Sequence, residues 1–176
     1  MRWLALLAVP ALWAQSLSSG ADIATVETTA DAVIHGGQLE GTAEILEASG
    51  PGDAVLLRFR TALIERWTVR KAVVAVHVPQ GAVPPAQVVV SGVVDEWTQG
   101  SLTAPRLGAR TTVATHALKD DWVTFEVPLK IAAGLANGQY ASIGISVPKG
   151  GHLAVHSHRT GQFMPYLLVR GERLDP

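Results

Sequence analysis

Residues 54–79 read AVLLRFRTALIERWTVRKAVVAVHVP, and this stretch decides the fold. In its first part Val55, Leu57 and Phe59 alternate with Leu56, Arg58 and Arg60. In its last part Ala72, Val74, Val76 and Val78 alternate with Lys71, Val73, Ala75 and His77. A period of two with many β-branched residues describes pleated strands with one face buried and the other polar. The piece between them is too charged to add a strand. The pair is expected at the centre of an antiparallel β-sandwich.

Further strand-like runs flank this pair. They cover residues 23–34, 43–47, 87–94, 122–127, 140–147, 153–157 and 166–170, separated by turn sequences such as His35-Gly36-Gly37, Ser49-Gly50-Pro51-Gly52 and Lys149-Gly150-Gly151. Residues 98–118 read as loop, with at most a short strand over 111–114. Residues 129–136 (LKIAAGLA) predict a helix of two turns. Frequent turn signals without long helical connections predict an all-β chain, an antiparallel jelly-roll β-sandwich, and exclude a parallel α/β sheet.

Composition bounds the rest. The chain has 176 residues, enough for one domain, and 48% of them are hydrophobic, enough for a core without staples. Residues 1–14 carry one early Arg2, an apolar run from Trp3 to Trp13 and the small Ala14. That pattern predicts a signal peptide, cleaved after Ala14, and a secreted, extracellular or periplasmic protein without a membrane anchor. Residues 15–23 follow as a flexible lead-in, and residues 24–172 form the folded domain. There is no cysteine, so a thiolate metal site and a Cys nucleophile are excluded. A formal net charge of −1 lacks the basic excess that nucleic acid demands.

The order of short motifs resembles a known family. Ala30-Asp31-Ala32-Val33-Ile34 is followed by Leu56-Leu57-Arg58-Phe59 and by Ala72-Val73-Val74-Ala75-Val76-His77-Val78. Then come Val94-Asp95-Glu96-Trp97-Thr98-Gln99-Gly100-Ser101-Leu102-Thr103-Ala104-Pro105 and Trp122-Val123-Thr124-Phe125-Glu126-Val127. Ser157-His158-Arg159 and Pro165-Tyr166-Leu167-Leu168-Val169 close the series. Across residues 24–170 this is similar to the DNRLRE, or disaggregatase-related, domain, also classed as carbohydrate-binding module family 96. The resemblance implies a jelly-roll sandwich, export and non-catalytic binding of polysaccharide. The chain departs from the family at Arg60 and Arg159, where the family has acidic residues, and at Glu126-Val127-Pro128, where it has Asp-Val-Thr.

Glycan binding requires an aromatic platform with polar groups around it. Trp67, between Arg66 and Thr68, is the candidate platform, whereas Trp97 and Trp122 sit at strand ends and read as packing residues. Arg58, Arg60, Lys71 and His77 alternate away from the predicted core, and Arg159 lies near a later strand. Gathered on one face they would suit uronic-acid carboxylates, which Arg binds bidentately; dispersed, they are a solvated face that deters edge pairing. His156 and His158 share one face of a strand at i, i+2, the start of a zinc or copper site but not a complete one. Asp31, Asp53, Asp95, Asp120 and Asp121 are oxygen donors available to a structural calcium ion (Ca2+), although the Asp120-Asp121 pair equally reads as a turn. No nucleophile elbow, zinc-protease helix or phosphate loop occurs, and the acids show no catalytic pairing, so no enzyme is expected. A structural or adhesive cell-surface domain contacting protein is the alternative to a polysaccharide binder.

Overall fold

The computed structural model describes residues 21–41, 43–101 and 103–174. The proposed signal peptide lies outside the described residues. In chain order the elements are β1 (Asp22–His35), β2 (Gln38–Glu40), β3 (Ile45–Ser49), β4 (Ala54–Phe59), β5 (Trp67–His77), β6 (Gln87–Val93), β7 (Leu107–Ala117), β8 (Trp122–Glu126), α1 (Leu129–Ala136), β9 (Ser142–Ser146), β10 (His152–His156) and β11 (Tyr166–Arg173). Short 3-10 turns cover Thr61–Leu63 and His158–Phe163. The described residues are all-β apart from these turns and α1, and α1 spans the residues the sequence predicts. β1 begins at Asp22, one residue before the strand run read from the sequence.

The jelly-roll sandwich is corrected to a closed barrel. Eight antiparallel strands run β1-β11-β5-β8-β7-β6-β9-β4 and return to β1. Two long strands close it. β1 pairs with β11 through residues 22–27 and with β4 through residues 28–34, with a register shift between Thr28 and Ala30 where it changes partner. β7 pairs with β6 over residues 107–114 and with β8 over residues 115–117. A bulge that bends a strand lets one strand serve two sheets, which removes the free edges of a sandwich. β2 adds to the β1 edge, and β3 pairs with β10 as a separate ribbon.

The alternation in β4 and β5 places the predicted set inside. Val55, Leu57, Phe59, Ala72, Val74 and Val76 all join the main core. The other face is covered rather than wet. Leu56 is fully buried with Ala32, Ile34 and Val93 beneath Trp97, carried by the β6–β7 connection. Trp97 is itself buried, and its indole N–H donates to Ser142 Oγ at 2.8 Å. Ala75, Tyr166 and Leu168 form a third apolar group beside Trp122.

One end of the barrel is plugged by α1, whose Ile131 and Leu135 enter the main core. Tyr140 follows, buried, with its ring against the backbone of Gly92 and Gly134, where no side chain intervenes.

Candidate functional site

A cleft of about 480 Å³ opens beside this plugged end. Thr61, Glu65, Arg66, Trp67, Asn137 and Leu174 line it. Local sequence builds its wall. Ile64 is fully buried and pins the first 3-10 turn, and its carbonyl accepts from Trp67 N–H at 3.1 Å. Between them Arg66 takes a left-handed conformation at φ 63°, uncommon for a residue with a Cβ, which reverses the chain into β5. Leu174 N–H donates to the Arg66 carbonyl at 3.0 Å and ties the residue after β11 to the same wall. Trp67 is half-buried, and a Cβ on Gly171 would meet the Thr68 carbonyl oxygen at 2.6 Å and Trp67 Cε3 at 3.3 Å, so glycine there lets β5 and its indole lie close on β11. The result is a concave apolar surface bearing a cation, a carboxylate and an amide. Trp67 is the wall residue singled out from the sequence; Asn137 and Leu174 were not, because only the fold brings them beside it.

The predicted basic face does not assemble as one surface. Arg58 emerges from β4 under the β6–β7 connection: its guanidinium stacks 4.8 Å from the Trp97 ring centroid, donates to the Trp97 carbonyl and pairs with Glu96 at 2.9 Å. Arg159 Nη2 donates to Gln99 Oε1 at 2.8 Å and to the Gly41 carbonyl at 3.4 Å. Arg60 is exposed after β4, and its backbone N–H donates to the Glu27 carbonyl. Lys71 faces Arg170 across the β5–β11 pair. Arg58 and Arg159 thus clamp the same connection from two sides, while Arg60, Lys71 and His77 lie elsewhere.

The histidines also separate. His158 turns to Asp31: its backbone N–H donates to Asp31 Oδ2 at 2.5 Å, and its Nδ1 lies 3.0 Å from Asp31 Oδ1, although without hydrogen-bond geometry. His156 turns to His77, with ring centroids 5.1 Å apart. Phe163, at the end of the second 3-10 turn, stacks on His77 at 4.0 Å and lies 5.0 Å from His156. Trp122 meets His77 edge-on at 5.3 Å and contacts Tyr166 at 5.3 Å. Burial pushes the Tyr166 hydroxyl up to about 12. Burial also holds both His77 and His156 below the ordinary imidazole value of 6.5, and His156 adds to the effect on His77.

The five aspartates are dispersed. Asp31 is buried against Ser157 and His158. Asp95 forms a two-pronged pair with Arg106, and Asp120 and Asp121, at φ 57° and 59°, make the β7–β8 turn. Two consecutive left-handed residues match a tight hairpin's twist, a position where Asp is tolerated because its short side chain bonds locally. Asp53 accepts from Ser49 N–H at 3.0 Å and sits 3.1 Å from His35 Nδ1. Among the described residues no group of three or more His, Asp and Glu is arranged around a common metal position.

Asp53 gives a pH dependence with a definite sign. Burial opposes its ionisation, but the Ser49 N–H and His35 outweigh burial and hold its carboxyl below the ordinary 3.8. A depressed carboxylate stabilises the fold above the unfolded-state value, and that contribution is lost as pH falls through the folded-state value. Thermal midpoints measured through the acid range should therefore drop below about pH 3.8, and less steeply in Asp53→Asn. Parallel curves for the two proteins would refute the assignment.

No family model matches the chain, and no curated protein matches it.

Proposed function

We propose that this chain is a secreted, non-catalytic carbohydrate-binding module that seats a polysaccharide segment in the cleft at Trp67. One observation carries the reading: a half-buried indole forms the wall of an open cleft of about 480 Å³ whose other lining groups include Arg66, Glu65 and Asn137. Sugar rings present an apolar face to an aromatic plane and hydroxyls or carboxylates at their edge, and this mixture of groups serves both. The resemblance of the motif order to DNRLRE domains supports the same reading, as does the signal-like residues 1–14 for export. Glycoside hydrolysis by paired acids requires two carboxyl groups across the scissile bond. Among the described residues lining this cleft, Glu65 alone carries one.

Retardation of the purified protein in native gels containing alginate, pectin or a neutral glucan tests the proposal. Trp67→Ala should weaken binding by roughly 2 kcal/mol, about thirtyfold, as for a central aromatic anchor. Arg159→Ala, which alters only the Gln99 side of the barrel, should leave retardation unchanged. Equal retardation of the parent and Trp67→Ala would move the site away from the cleft, and no retardation across the panel would reject polysaccharide as the partner.

A further inference from the structure

The His77–His156 pair is a second place where the molecule is built for a ligand. His77 lies on the outer side of β5, yet only 7% of it is exposed, because Phe163 stacks over it. Its Nδ1 is buried without a hydrogen-bond partner, and so is the Nδ1 of the adjacent His156. A buried nitrogen left unpaired costs about 1–3 kcal/mol, so a group that satisfied both neighbouring rings would be favoured.

The spacing selects the kind of ligand. A ring nitrogen lies about 1.1 Å from its centroid and binds zinc at about 2.0–2.1 Å. Two rings 5.1 Å apart that share one ion would then subtend about 110° at it, the tetrahedral angle. Asp121 and Glu44 lie nearby, the Asp121 carbonyl accepting from Val78 N–H at 2.9 Å and the Glu44 carbonyl from Ser157 N–H at 2.8 Å, but neither joins the two imidazoles in a group of three metal-ligating side chains. From this geometry we propose that His77 and His156 form a two-imidazole site for a borderline divalent cation, zinc or copper(II), completed by water. The proximity of Trp122 to His77 makes the site optically addressable.

The test uses the whole chain, stripped with a chelator and titrated with zinc chloride against a chromophoric competitor, then with copper chloride while tryptophan fluorescence is followed. One equivalent of metal should bind. Copper should quench fluorescence strongly, and most of that quenching should vanish in Trp122→Phe. His156→Gln and His77→Gln should each weaken binding by at least about tenfold, since even outer residues around a metal are worth 10–100-fold. His116→Gln, an exposed histidine on β7, should change nothing. His77 is buried and its loss can unfold the chain, so the half-exposed His156 carries the decision. Folded His156→Gln that binds as tightly as the parent would overturn the proposal. So would a parent that takes up no metal at micromolar concentration, the result expected if a bridging water satisfies both nitrogens.

Discussion

Gly134→Ala should lower stability by about 2 kcal/mol, reversing the helix-propensity rule. Inside an α-helix alanine is favoured over glycine by about 1 kcal/mol, and Gly134 sits in the interior of α1. Its α-carbon, however, faces the ring of Tyr140: a Cβ there would come within 2.5 Å of Cε2 and nearer still to Cδ2. The ring cannot retreat. Its other side lies on Gly92, where an added Cβ would be 2.7 Å from three ring atoms, and Gly108 closes a third side at 3.0 Å. Overpacking of this kind costs about 1–3 kcal/mol or more, which exceeds the propensity gain. For a chain of this size the net loss corresponds to a fall in Tm of about 4–8 °C. In a Tyr140→Leu background the same substitution should be neutral or stabilising, and a double-mutant cycle should return a coupling of about 2 kcal/mol. An unchanged or raised Tm for Gly134→Ala in the parent would show that the helix plug is looser than this packing implies.

Asp31→Ala should cost about 3 kcal/mol, a Tm fall of about 6–12 °C. Asp31 is 1% exposed in β1 and holds two separate segments against the barrel. Its carboxylate accepts from the Ser157 hydroxyl at 3.3 Å and from the His158 N–H at 2.5 Å, which fixes the start of the second 3-10 turn. Its backbone carbonyl accepts from Gln99 Nε2 at 3.1 Å, and Gln99 in turn receives Arg159. Truncation leaves the Ser157 hydroxyl proton, though not its oxygen, which still accepts from Arg159 N–H at 3.1 Å, and the His158 N–H unpaired, and each such loss is worth about 1–3 kcal/mol. Asp31→Asn keeps an acceptor and should recover about half of the loss. Hydrogen exchange should quicken over residues 157–163 in the alanine variant. A Tm within measurement error of the parent would mean that the turn is held by Phe163 stacking alone.

Local chemistry was readable wherever one residue type answers one local demand. The alternation at 54–59 and 72–78 identified β4 and the inner half of β5, and the compact apolar run at 129–136 identified α1. Trp97 was read as a packing residue and is buried. β7 was readable only in part, as the short strand over 111–114. Its residues LGARTTVATHA have no buried member, so no hydrophobic period marks it, and its strand conformation is imposed by pairing with β6 and β8. The same blindness hid the closure of the barrel, because β1 looks like one continuous strand although its two halves bond to different neighbours.

Arg58, His77 and His156 show the limit at the site. Alternation correctly turned Arg58 and His77 away from the inner core, but direction along a strand does not say what covers the outside. That cover arrives from residues 39 and 86 positions later in the chain, Trp97 on Arg58 and Phe163 on His77. By itself the sequence determined an all-β chain, its main turns and its helix, since these follow from periodicity and residue chemistry over a few neighbours. The closed barrel, the cleft around Trp67 and the pairing of His77 with His156 were decided by tertiary structure alone, because each joins segments whose contact depends on strand order, which local pattern does not encode.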